Sequence, residues 1–500
     1  MRGLLEQAFA QKKKPELARQ RFVEFLRSQV HLVVTEVPPS YDLNRLFEAI
    51  NNRGAQLQHH EILKSRILSC ITDKATRRRY ALLWNACSNM NSYVEHNTNQ
   101  ELRQNTSDWY DKNSFTFNLK GLLKTLNPAS TRSNTLKLNQ ILAGKTNSAE
   151  TAPPPDGNIG KHPERTEDED ESVRSILSFP QLLLHVLRIF LFQRKLDDLQ
   201  RINEKELLKL FSETNAVHDA RTATAFIELL WQVRFCFDLF VIKWVQTADE
   251  ERHAIKPLVK ENQYRKWTYY LRRRPSEGGS SLELLQSMLY HSQQITTHYW
   301  LTPFLYQTLN CRDKSQLDAY LRKLDNHLFC TNSIDNLAKR TWSLMGSNLE
   351  NSEQTFSCEE LDYAKGVGFP HYWFYKLDFV LWQHLRAKKE DKRWQMFRFT
   401  AKNSVEHVSP QTPRQEDSNV VPAGLLNDFG NLALVSRSIN SEASNKPFVV
   451  KQKEFSIKQK FDSLKSALIY ENEEWNDALC VAHREDMKDH MQSYFAECST

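Results

Sequence analysis

Glycine is scarce in this chain, with 13 in 500 residues. A sequence so poor in the residue that opens tight turns, and rich in Leu, Gln, Glu, Lys and Arg, is expected to build its body from helices rather than sheet. Its 27 Phe, 11 Trp and 40% hydrophobic residues are ample for sizeable cores, which excludes wholesale disorder. The length suits two or three domains. The expected fold class is therefore mainly α, with helical N-terminal and middle regions and one small α+β unit near the C-terminus.

Breaks in the pattern divide the chain. Residues 143–172 include TAPPPDGNIGKHPERTEDEDE, rich in Pro, Gly and acidic residues and without an apolar period, so they read as a polar linker. Residues 1–142 before it form a helical unit and residues 173–389 after it a helical middle domain, with RRRPSEGGSS at 272–281 as an internal loop. Residues 390–500 make up the last domain, closed by terminal helices. The most apolar run, 179–192, is interrupted by His185 and Arg188 and is shorter than the ~20 residues of a bilayer span, so it reads as a core helix. No export signal is visible, and eight cysteines without a C-x-x-C pair point to a reducing cytoplasm, with no membrane partner.

The last domain carries the chemistry. It reads SVEHVSPQ at 404–411, LLNDFGNLALVSRSIN at 425–440 and SNKPFVVK at 444–451. Hydrolysing a phosphodiester needs a base for water, a hard cation for the phosphate charge, and groups that hold both still. His407 can serve as the base, while Glu406 and Asn440 can supply oxygen ligands to Mg2+ or Mn2+. Asn431, after the tight Gly430, is placed to fix the connecting loop. Val405 and Val408 flank the Glu-His pair as a strand requires, the stretch 431–436 suits its partner, and a helix is expected to open after residue 438. A surface Glu-His pair and an Asn-rich turn are the plain alternatives to each motif taken singly.

These three segments, in this order, resemble the ββα-metal (HNH-type) nuclease finger found at the C-terminus of GmrSD-type modification-dependent restriction proteins. The resemblance implies His407 as general base, Glu406 and Asn440 as metal ligands, and Asn431 as the loop-fixing asparagine. It also matches Lys451, as a phosphate contact that steadies developing charge, and Asn445, as a brace. A second block, LFEAINNRGAQLQHHEILKSRIL at 46–68, is similar to part of the family's first conserved region. There Asn51, Arg53, Gly54 and Lys64 match, and Glu61 stands where Asp is usual. Gly54 reads as the turn between two helices, and Arg53 and Glu61 can equally brace that turn. The family's hallmark D-G-Q-Q-R run occurs nowhere in the sequence. NTP is thus expected only through a separate nucleotide-binding partner subunit.

Two more segments resemble the family, FIELLWQVRFCFDLFVIKWV at 226–245 and FYKLDFVLWQHL at 374–385. Glu228, Arg234, Asp238 and Lys243 punctuate the first, and charges in so apolar a run are expected to pair with neighbours. After the finger, Trp475, Leu479 and Arg484 approximate a family pattern and are expected to pack against it. Residues 386–465 hold 15 Lys and Arg against 9 Asp and Glu, a surplus equal to the formal net charge of +6 for the whole chain. Phosphate binding explains that concentration, with Lys446, Lys453, Lys458 and Lys460 as backbone contacts beside Lys451. A solvated face explains each lysine singly as well. YRKWTYYLRRR at 264–274 can meet nucleic acid or belong to the core. Two functions are consistent with these features, a metal-dependent DNA endonuclease acting on modified or foreign DNA in an anti-phage restriction system, or a catalytically silent DNA-binding or regulatory subunit. RNA is an alternative substrate.

Overall fold

The computed structural model describes residues 17, 19–20, 22–25, 58–125, 172–246, 250–262, 268–276, 278–292, 297–347, 349, 355–412, 420–436 and 446–499. The chain falls into two compact units, residues 1–58 and 59–500. In the first, the described residues between 17 and 25 are helical. The second is mainly helical with small antiparallel sheets, as expected from the scarcity of glycine. In chain order its helices are α1 (His59–Ser69), α2 (Lys74–Ser88), α3 (Val94–Leu102), α4 (Leu119–Thr125), α5 (Phe179–Gln193), α6 (Leu207–Thr214), α7 (Ala220–Phe240) and α8 (Ser281–Ser292). After these come α9 (Leu301–Asn310), α10 (Lys314–Phe329), α11 (Leu337–Gly346), α12 (His371–Leu385), α13 (Phe448–Ser456), α14 (Leu464–Ile469) and α15 (Asp477–Ser499).

Local sequence explains where the long helices begin. Ser178 and Gln181 form a reciprocal capping box with Pro180 in the first turn of α5. Asp219 and Thr222 do the same for α7, and Asp313 caps α10. Each cap satisfies amide donors that the first turn leaves unpaired. Apart from the partly exposed Pro180, Gln181, Phe192 and Gln193, α5 is buried along its length, as expected for a core helix. Among the described residues no helix is long and apolar enough to cross a membrane.

One hydrophobic core joins the elements from α1 to α15. The charges of α7 are paired within it. Asp238 meets Arg234 and, at 2.9 Å, Lys243, and its Oδ2 accepts the Val94 amide at 2.7 Å. Arg273 pairs with Glu95 at 2.6 Å, and the Tyr80 hydroxyl donates to Glu228 at 2.5 Å. These bonds tie residues 80–95 to the middle of the chain, and the expectation that such charges find partners holds.

The chain before α8 also contains strands that the helical pattern concealed. β1 (Tyr110–Asp111) pairs with β2 (Thr116–Phe117) as a short hairpin. β3 (Val173–Ser175), β4 (Lys243–Gln246) and β5 (Glu251–Ala254) form an antiparallel sheet, and β6 (Leu258–Asn262) pairs with β7 (Tyr269–Arg273). The apolar run at 226–245 is therefore a helix only to Phe240. Val241 is extended, and the β-branched pair Val241–Ile242 leads into β4. The described part of YRKWTYYLRRR is strand, with Arg273 buried on Glu95 and Arg274 paired with Glu261. Those two arginines are occupied by carboxylates of this chain.

All eight cysteines are free. A last antiparallel pair, β8 (Ser404–His407) and β9 (Leu432–Val435), lies beside α12 to α15.

Candidate active site

β8 and β9 place Glu406 opposite Ala433 and His407 opposite Leu432. Strand alternation sends these adjoining side chains to opposite faces. Helix α13 covers one of them. Lys451, on that helix, donates to Glu406 Oε1 at 2.8 Å and to the His407 carbonyl at 2.7 Å. The lysine is only 4% exposed, and burial, ahead of the opposing pull of Glu406, lowers its pKa from the usual value. The Lys451 bond engages Oε1 of the Glu406 carboxylate.

The imidazole is tied elsewhere. His407 Nε2 lies 3.0 Å from Asn427 Oδ1 and 3.4 Å from Gln411 Nε2. Donation from Nε2 to the Asn427 oxygen, the shorter contact, would leave the Nδ1 lone pair to act as a base, whereas the longer Gln411 contact suits the other tautomer. Asn427 is seated by the chain at Gly366, whose amide donates to the Asn427 carbonyl at 3.2 Å. Gly366 has φ +53, and a Cβ there would fall 2.6 Å from Asn427 Oδ1. Only glycine fits that approach.

Asn431 organises the loop between the strands. Its Oδ1 accepts the Ser409 amide at 2.9 Å and the Trp475 indole at 3.1 Å, and its Nδ2 donates to the Leu426 carbonyl at 2.9 Å. The backbone adds Val408 N to Asn431 O at 2.8 Å. Asp428 accepts the Gly430 amide at 2.8 Å and pairs with Arg484. Trp475 and Arg484 thus land on the hairpin, as expected for the residues after the finger. A small second core of Val408, Val421, Phe448, Ile469, Trp475 and Cys480 closes the unit.

Beneath the hairpin, Lys465 donates to the carbonyls of Leu432 at 2.6 Å and Gly430 at 3.3 Å. Its burial pushes the ammonium down to about 7, against the pull of Cys480, Asp378 and Asp428. The unfolded chain keeps this proton to about 10.5, so between these values it binds more protons than the folded state. Stability contributed at this residue should therefore rise with pH across that interval, by at most about 1.4 kcal/mol per pH unit. Lys465→Met should lack that slope. Urea midpoints at about pH 7 and 9, inside that interval, give the check. Equal slopes in the two proteins would refute it.

The other expected site residues are dispersed. Lys446 pairs with Glu454 at 2.7 Å, Lys458 with Asp462, and Lys460 with Glu250 at 2.5 Å. Lys453 is exposed on α13. On α1, Lys64 is half-buried and donates to Asn85, whose amide reaches Glu101 at 3.1 Å, and Glu61 lies in the first turn. Lys64 is thus a brace between helices. Asn440, Asn445, Asn51, Arg53 and Gly54 lie outside the described residues. Sequence reasoning missed Asn427, Lys465 and the chain at Gly366. Asn427 sits inside the LLNDFGN segment, four residues before Asn431, and that proximity was the available signal.

Among the described residues no group of three or more His, Cys, Asp or Glu could hold a metal. The chemistry available is one carboxylate oxygen, one imidazole lone pair and a buried ammonium that steadies the carboxylate.

Residues 359–489 match the family model described as GmrSD restriction endonucleases, C-terminal domain. The matched region runs from just before α12 into α15 and contains the whole β8–β9 unit with Lys451 and Lys465. No curated protein and no solved structure matches the chain.

Proposed function

We propose, from the premise that residues 359–489 are similar to the C-terminal domain of GmrSD restriction endonucleases, that this chain is a metal-dependent DNA endonuclease with an HNH-type (ββα-metal) centre. The observation that carries the reading is that Glu406, His407, Asn431 and Lys451 all belong to one strand-strand-helix unit, in which Lys451 bonds both the Glu406 carboxylate and the His407 carbonyl. Its setting is restriction of modified or foreign DNA in the cytoplasm, with nucleotide, where required, supplied by a separate partner subunit.

The donor set suits Mg2+ or Mn2+ better than a cage-forming metal, because these ions bind through one or two carboxylates and keep waters and substrate phosphate oxygens as further ligands. When bound, such an ion neutralises charge on the phosphate and the leaving oxygen. Glu406 would supply one oxygen ligand to such an ion and Asn440 a second. Asn427 orients the imidazole of His407, whose Nδ1 takes a proton from the attacking water. Lys451 holds the carboxylate at a fixed height above α13, and Asn431 keeps both ends of the loop closed against the strand.

A second reading rests on Lys451. Its ammonium already neutralises Glu406, and His407 is 6% exposed, an arrangement that also suits a catalytically silent DNA-binding subunit. One experiment separates the two. The purified chain is incubated with plain, methylated and glucosylated DNA, with Mg2+ or Mn2+, with and without NTP, beside its His407→Ala variant. Cutting by the original, reduced about 10²- to 10⁴-fold in the variant with DNA binding retained, supports the endonuclease. Equal cutting by both proteins would falsify the assignment of His407, and binding without cutting under every condition supports the silent subunit.

A further inference from the structure

A cavity of about 590 Å³ lies away from the Glu406–His407 centre, walled by Glu250, Arg252, Arg386, Arg398 and Lys460 together with the Gly278–Gly279 turn. The turn leads into α8, Arg252 is on β5, Arg386 follows α12, and Arg398 belongs to the segment that runs into β8. The charged wall therefore carries four cations and one anion, and Glu250 is already engaged by Lys460.

The three guanidinium groups are held by backbone carbonyls. Arg252 Nη2 donates to Ser276 O at 3.1 Å, Arg386 Nη1 to Gly279 O at 3.2 Å, and Arg398 Nη1 to Phe397 O at 2.6 Å. Among the described residues none of the three forms an ion pair with a carboxylate, and the buried Arg252 Nε has no hydrogen-bond partner. Like charges brought together out of water repel, and burial with the neighbouring Arg252 lowers the pKa of Arg398. Glu283 and Glu250 act on Arg398 only in part against that effect, and with no carboxylate among the described residues in direct contact with any of the three forks their donors remain available to a ligand.

The turn is shaped for the same task. Gly278 and Gly279 have φ of +72 and +73, and a Cβ on Gly278 would lie 2.8 Å from Arg398 Nη2 and 3.2 Å from Arg252 Nη1. Glycine lets the backbone approach both forks and leaves the cavity open. Arg386 stacks over the Trp382 ring at 3.7 Å, which fixes the plane of its fork. Planar guanidinium forks match phosphate oxygens two at a time.

We propose that this cavity binds phosphate groups, with Arg252, Arg386 and Arg398 as the recognition elements and the Gly278–Gly279 turn as the floor. The shared chemistry is a phosphate ester or polyphosphate, from a free nucleotide or from a nucleic acid strand. The site is independent of whether the Glu406–His407 centre cuts DNA.

The test uses the full chain, titrated with pyrophosphate and with ATP by calorimetry, and with a short labelled duplex by anisotropy. Arg398→Gln and, as a milder second variant that keeps the charge, Arg386→Lys are compared with Lys209→Gln, an exposed lysine of α6 paired with Glu213, and urea midpoints confirm that each is folded. Pyrophosphate should bind the original chain and require about tenfold or more ligand in the two arginine variants, with Lys209→Gln unchanged. If duplex binding weakens in parallel and pyrophosphate displaces the duplex, the phosphate belongs to nucleic acid. If duplex binding is unchanged, it belongs to a free nucleotide. Either result supports the site. It is overturned if neither pyrophosphate nor duplex affinity differs between the original chain and folded arginine variants.

Discussion

Asp378→Ala should remove a large part of the folding stability, about 3–5 kcal/mol out of the roughly 5–15 kcal/mol typical of a native domain. The carboxylate projects from α12 and is 1% exposed. Its Oδ1 accepts the amides of Leu464 at 2.8 Å and Lys465 at 2.9 Å and the Ser463 hydroxyl at 3.0 Å. Its Oδ2 takes the Lys402 ammonium at 3.2 Å. Truncation would leave a buried ammonium without its counter-charge and the first turn of α14 without its acceptor. Asp378→Asn should fall between the two, since it keeps the shape and loses the charge. Urea denaturation followed by far-ultraviolet circular dichroism gives the comparison. A midpoint for Asp378→Ala within error of the original would show that the bonds contribute nothing net.

Gly430→Ala should also be costly, for a steric reason. A Cβ at Gly430 would collide with the Cys480 carbonyl oxygen, a backbone atom of α15 that cannot rotate away. Relief requires the helix to move off the hairpin, and overpacking of this kind typically costs about 1–3 kcal/mol. The same movement would strain the Trp475 bond to Asn431 and the Arg484 pair with Asp428. The expected result is a lower urea midpoint together with faster amide exchange in α15. Unchanged exchange in that helix would mean that the hairpin, not α15, gives way.

Much of the architecture could be read from residue types. The scarcity of glycine announced a helical body, and the partnered charges of α7 followed from their apolar surroundings. The sheet of β3, β4 and β5 could not be read in the same way, because α7 runs into β4 through continuous apolar sequence in which periodicity separates nothing. The β-branched Val241–Ile242 pair was the only mark of the change. At the site, neighbours in sequence were legible and neighbours in space were not. Glu406, His407 and Asn431 stand in short motifs, whereas Asn427, Lys465 and Asp378 act through bonds to residues up to 87 positions away.

The lysines show the limit of counting charge along a chain. Lys451 belongs to a basic stretch and invites a surface role, yet its ammonium is turned inward onto Glu406. Lys446, Lys458 and Lys460 each meet a carboxylate. Burial and pairing are properties of the fold, so the surplus of cations in residues 386–465 overstates the charge offered to solvent.

The groups that brace the β8–β9 hairpin come from both sides of the motif, Gly366 before it and Lys465, Trp475 and Arg484 after it. The structural module is accordingly larger than its signature. A fragment trimmed to the three recognisable motifs would keep every chemical group and lose the frame that aims them, so the smallest portable piece runs from the chain ahead of α12 to the end of α15.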